Sequence, residues 1–136
     1  METYDTNSTY YYTRLHDTAL ANMHALGGSF VMVSGVLGVD TDEFEHNLSV
    51  MKNMIAELEA DGHQVFDQTP YLDIYHDNAP REYAAKFEIF YKGVIQSGLI
   101  TKLYVLPGFE HSLGVRSEIQ YAEDKEIEVE YVQYML

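Results

Sequence analysis

From Ser29 onward the chain alternates two hydrophobic rhythms, and that alternation restricts its possible folds more than any other feature. The segment from Ser29 to Leu37 is a short, nearly continuous apolar run with a glycine near its end, which suits a strand buried on both faces. Next, Phe44, Leu48, Met51, Ile55 and Leu58 recur at steps of four, three, four and three, a single stripe on a helix that Asp40 or Thr41 caps and Gly62 stops. His63 to Asp67 reads as a second short strand. Residues 68–79, with Pro70, Asp73, Asp77 and Asn78, read as a loop long enough to form part of a site or a lid. Pro80 then opens a helix with the stripe Tyr83, Phe87, Phe90 and Val94, stopped by Gly98. A third strand covers about 101–106, and a helix runs to about Asp124. The last strand, 126–132, turns Ile127, Val129 and Tyr131 inward and three glutamates outward, leaving one face to water or a partner.

Strands alternating with helices make βαβ units, and right-handed crossovers turn these into a parallel sheet with helices on both faces. The sequence therefore predicts a single α/β domain of flavodoxin-like or Rossmann-like layering. Ligands of such sheets sit beyond the carboxyl ends of the strands, where strand order reverses. The exits nearest that point are 34–37, Asp67 onward, and 107–112.

Residues 1–27 precede this pattern and form an N-terminal arm to the domain at 28–136. Tyr12, Leu15, Ala19, Met23 and Leu26 make a weak helical stripe, so the arm is an amphipathic helix that packs on its own domain or on a second subunit. The second possibility points to a homo-oligomer.

With 136 residues the chain suits one compact domain. No apolar run approaches the roughly 18 residues that would span a bilayer, and the N-terminus lacks a basic-then-apolar leader. No membrane partner is expected. Zero cysteines exclude disulfides and thiolate chemistry and agree with a cytoplasmic setting. Its 22 acidic against 8 basic residues give a formal charge of −14, which repels duplex nucleic acid.

The segment from Leu106 to Glu118 concentrates the chemistry. It leaves a strand through Pro107-Gly108 and enters a helix whose start offers unpaired N–H groups to an anion, with Glu118 one turn beyond Gly114. Ser112 can cap this helix and aim its hydroxyl at a phosphate, or act as a plain cap. Gly114 and Gly35 permit close backbone approach, or are turn and packing glycines. Phe109 and His111 flank the loop, where they can stack on or hydrogen-bond a base, or close the core edge. Arg116 suits a phosphate or a surface ion pair. Asp67, Asp73 and Asp77 are the candidates for a second carboxylate. Asp73 and His76 lack a third ligand at a recognisable spacing, so neither a metal nor any other cofactor is expected.

The run Leu106-Pro107-Gly108-Phe109, Ser112, Gly114-Val115 and Glu118 resembles the signature of the nucleoside 2-deoxyribosyltransferase-like superfamily. It is similar to a small phage and bacterial branch reading Leu-Pro-Gly-Trp, two residues, Ser, one residue, Gly-Ala, two residues, Glu. Ser34-Gly35 stands where relatives carry Gly-Pro, Phe44 and Asn47 match an aromatic and an asparagine of the first helix, and Gly62-His63 matches its end. The resemblance spans about 29–132. It implies cleavage or exchange of the N-glycosidic bond of a deoxynucleoside or its monophosphate. In that role Glu118 is the nucleophile on C1′, and Ser34, Gly35, Asp67, Phe109, His111, Ser112 and Gly114 bind substrate. Relatives place an aspartate where this chain has Thr101, which implies that Glu118 lacks a usual neighbour. The alternative is a non-catalytic member of the same fold that binds a nucleotide or docks on a protein partner.

Overall fold

The computed structural model describes residues 9–38, 42–72 and 81–133. Among these residues it is an α/β domain with a three-stranded parallel sheet and four α-helices: α1 (Thr9–Leu26), β1 (Phe30–Ser34), α2 (Phe44–Ala60), α3 (Arg81–Ile95), β2 (Ile100–Val105), α4 (Leu113–Asp124) and β3 (Glu128–Tyr131). The strand order is β1-β2-β3. The capping positions Asp40 and Thr41, and the loop residues Asp73, His76, Asp77, Asn78 and Pro80, lie outside the described residues.

The alternation of β1 sorts its side chains between two cores. Val31 and Val33 meet Tyr104, Leu106 and Val132 of the sheet and Val50, Met51, Met54, Ile55 and Leu58 of α2. Phe30 and Met32 face the other way, with Leu103 and Val105, onto Phe90, Val94 and Ile95 of α3 and Val115, Ile119 and Ala122 of α4. Each buried Val, Leu, Ile, Phe or Met side chain contributes about 1.5–3 kcal/mol. Helices thus cover both faces of the sheet, and Gly62 (φ +95°) and Gly98 (φ +90°) turn the chain out of α2 and α3 where an L side chain would be strained.

The N-terminal helix belongs to the second core. Tyr12, Ala19 and Met23 are buried there, and α1 lies so close on α3 that a Cβ on Gly93 would collide with the His16 imidazole. The stripe that left a second subunit open is therefore covered within the chain. Leu26 is the exception at 73% exposed, because the helix ends there and Gly27 and Gly28, both at positive φ, swing the chain toward β1.

The expected second strand, His63 to Asp67, shrinks to one parallel bridge between Val31 and Val65. Val31 N–H donates to Gln64 O (2.9 Å), and Phe66 N–H donates to Val31 O (2.8 Å). The ladder stops because Asp67 turns the chain: its Oδ1 accepts from Thr69 N–H (2.9 Å) and Thr69 Oγ1 (2.6 Å), leading into a 3₁₀ turn at Thr69–Leu72. A side chain then takes the next ladder position, as Gln68 Nε2 donates to Val33 O at 2.7 Å. With Val65 on one side of β1 and β2 on the other, strand order reverses between β1 and β2. The ends of those two strands are the switch point.

At the far edge, Lys102 Nζ lies 2.9 Å from both Glu128 Oε2 and Glu130 Oε1, so two of the outward glutamates of β3 are ion-paired. Tyr131, expected inward, is 41% exposed. It stands at the last residue of the strand, beyond the cover of α4, and rests on the Phe109 ring at 5.2 Å.

Candidate functional site

Ser34 ends β1 on the same face as Phe30 and Met32, so its hydroxyl points toward α4 at the switch point. Helix α4 begins with Ser112 as N-cap, in extended backbone (φ −98°, ψ 111°), its Oγ accepting from Val115 N–H at 3.3 Å. The stripe of this helix buries Val115, Ile119 and Ala122, and between them Glu118, a carboxyl on an otherwise apolar surface. Ser34 Oγ donates to Glu118 Oε1 at 2.8 Å. Glu118 is only 7% exposed.

A second carboxyl belongs to the same cluster. A Cβ on Gly114 would stand 3.2 Å from Glu88 Oε1, so the missing side chain at Gly114 gives Glu88, reaching across from α3, its place over the first turn of α4. Gly114 and Glu118 are one turn apart and Tyr121 three residues further, which puts all three on one face of α4. Tyr121, on that face, interacts electrostatically with Glu88. Burial, then the Glu88 charge, push Glu118 up to about 8, against the pull of the Ser34 hydrogen bond. Burial likewise pushes Glu88 up to about 7, opposed by Tyr121. Tyr121 is raised by burial first and by the Glu88 charge second. The two carboxyls are therefore a pair that retains a proton around neutral pH.

Among the described residues the buried polar side chains are Ser34, Gln68 and Glu118. Gln68 is 1% exposed, and since its Nε2 is committed to Val33 O, its buried Oε1 is left without a donor beside the Ser34 end of β1. Glu88 Oε2 is likewise a buried acceptor without a partner. Each is an acceptor that lacks its donor.

Of the residues singled out in sequence, Ser34, Gly114 and Glu118 come together here. Gly35 has a packing role, since its Cβ would lie 2.7 Å from Leu106 Cδ1 where β1 and β2 leave the sheet. Asp67 serves its own turn with both of the bonds described above. Phe109 packs in a tilted pair with Tyr131, and His111 is exposed at the end of a 3₁₀ turn, Phe109–His111. Arg116 is exposed on α4. Asp73 and Asp77 lie outside the described residues. A groove of about 180 Å³ lined by Val36, Glu43, Asn47, Val50, Leu106, Pro107 and Gly108 opens on the α2 face of the same strand ends. It is below the roughly 300–1,000 Å³ usual for small-molecule pockets and lies on the opposite face from Glu118.

Thr101 does not belong to the site. It is the extra residue of a bulge, since Phe30 pairs with Ile100 and Val31 with Lys102, and its Oγ1 lies 3.3 Å from Phe30 O at the amino end of β2. Five residues of strand, on the order of 15 Å, separate it from the exit at Leu106.

Sequence reasoning missed Glu88, Tyr121 and Gln68. Two carried a signal: Glu88, Tyr91 and Ile95 are spaced by three and four, placing a carboxyl on the buried side of α3, and Gly114, Glu118 and Tyr121 follow at four and three. Gln68, in irregular chain, carried none.

Comparisons with known proteins add no relative: no family model, no curated protein and no solved structure matches the chain.

Proposed function

We propose that the chain cleaves or exchanges the N-glycosidic bond of a deoxynucleoside or deoxynucleoside monophosphate, with Glu118 as nucleophile. The observation that carries this reading is the buried Ser34–Glu118 hydrogen bond at the switch point, with Glu88 beside it. A carboxylate there attacks C1′, the C1′–N bond breaks with its electron pair going to the base, and the glycosyl ester on Glu118 passes to water or to a second base. The Ser34 hydroxyl orients Glu118 and favours its ionised form. Gln68 Oε1 accepts a hydrogen bond from a hydroxyl of the sugar, and the start of α4 at Ser112 faces sugar or phosphate.

One observation favours a second reading. Burial and the Glu88 charge favour the protonated form of Glu118, which suits a binding protein that only hydrogen-bonds a nucleotide. The test is base release, followed by chromatography, from a panel of deoxynucleosides and their monophosphates with and without a second free base. The enzyme reading expects release or exchange by wild type and a loss of at least about a hundredfold in Glu118→Gln. Nucleotide binding with no release from any panel member, unchanged in Glu118→Gln, selects the binding protein.

A further inference from the structure

Resting on that reading, we infer that Glu88 is the proton-transferring partner of Glu118: it takes the proton from Glu118 as substrate docks and delivers it to the leaving base. Three observations on two facing helices support it. Glu88 Oε1 occupies the space over Gly114, one helical turn from Glu118 along the same face of α4, so the second carboxyl stands beside the one that attacks. Glu88 Oε2 is buried and unpartnered, an oxygen free to receive a proton and present it to a ligand. Tyr121, on the next turn of the same face, interacts with the same carboxyl and opposes the rise that burial imposes on it. Glu118, whose Oε1 is held by Ser34, keeps its other oxygen for C1′.

Charge and atoms balance through both halves. In the first, Glu88 carries the proton and Glu118 the negative charge; the Glu118 oxygen bonds C1′, the C1′–N pair goes to the base nitrogen, and the Glu88 proton neutralises it. In the second, the Glu88 carboxylate takes a proton from water as that water attacks C1′, and the Glu118–C1′ ester bond breaks to restore the carboxylate. Burial raises both carboxyls, so the proton that the pair retains can sit on either, and a positioned acid supplies roughly 10²–10⁴-fold.

The test compares two leaving groups. A purine deoxynucleoside needs its base protonated; 7-methyl-2′-deoxyguanosine carries its positive charge already, and its base leaves neutral with no proton from the protein. Initial bursts of base release are followed for wild type, Glu88→Gln, Glu118→Gln and Tyr121→Phe. The expected result is a loss of about a hundredfold or more for Glu88→Gln on the unmethylated substrate and a change of a few-fold on the methylated one. Glu118→Gln loses on both, and Tyr121→Phe follows the Glu88→Gln pattern at smaller amplitude. Equal losses on the two substrates for both Glu88→Gln and Tyr121→Phe, or no loss on either, overturn the role of Glu88 while leaving Glu118 as nucleophile. If Glu88→Gln does not fold, Tyr121→Phe decides alone by the same difference. A wild type inert on both substrates overturns the glycosidic reading and this role with it.

Discussion

Ser34 Oγ donates to Glu118 Oε1 at 2.8 Å across 84 positions of sequence, joining the end of β1 to the middle of α4. Both side chains are buried, so the bond is a tertiary constraint as well as the orienting contact of the site.

Removing its donor leaves a buried carboxyl oxygen unsatisfied. Ser34→Ala is expected to cost about 1–3 kcal/mol in urea unfolding. Because the hydroxyl favours the ionised form, the same change pushes Glu118 further above about 8 and moves any activity that needs its carboxylate to more alkaline pH. An unchanged urea midpoint together with an unchanged pH profile contradicts the contact.

The buried pair makes stability depend on pH in an unusual direction for carboxyl groups. Folded Glu118 keeps its proton up to about 8, whereas an ordinary glutamate releases it near 4.5. The folded state thus binds more protons than the unfolded state between those values, and stability falls as pH rises through that window and levels off above it. Self-repulsion of the acidic chain adds to the fall, so the measurement is comparative. Glu118→Gln, neutral at every pH, is expected to be close to wild type at pH 5 and clearly more stable at pH 9 by denaturant midpoint; parallel curves for the two proteins contradict the burial of an ionisable Glu118.

Thr101 stands at the wrong end of β2 to supply a catalytic group. Thr101→Asp is expected to leave stability within about 0.5 kcal/mol of wild type and base release unchanged, since the position is exposed and far from Glu118. A gain in turnover in this variant shows instead that the position reaches the site.

How closely α1 sits on α3 can be read from one glycine. In an open helix Gly93→Ala gains about 1 kcal/mol of propensity, but here the new methyl meets the His16 ring. The single variant is expected to lose stability, and adding His16→Ala is expected to recover it. Stabilisation by Gly93→Ala alone places α1 elsewhere.

These relationships divide along the line between local and tertiary information. The stripe of Phe44, Met51, Ile55 and Leu58 with Gly62 behind it specifies α2 locally, and the Pro107-Gly108 turn with Ser112 as cap specifies the entry to α4. Glu118 is legible as a site residue because its spacing from Gly114 survives in any helix. The strand at His63 to Asp67 misleads because its apolar pattern is real while the Asp67–Thr69 bonds end the ladder. Glu88 was hidden for a different reason: its significance lies in the gap at Gly114, on another helix. Only the resemblance to relatives links Thr101 with Glu118, and the direction of β2 carries it away.

The central claim, that Glu118 attacks C1′, is tested most directly by mass spectrometry of the intact protein and its peptides. Wild type is quenched in acid during turnover of the deoxynucleoside that it cleaves fastest in the panel, or of each panel member in turn if release is slow. The account predicts an added deoxyribosyl group on the peptide containing Glu118, absent in Glu118→Gln and present when Glu88→Gln is supplied with 7-methyl-2′-deoxyguanosine. Base release by wild type with the adduct on another residue, or an adduct that persists in Glu118→Gln, contradicts it.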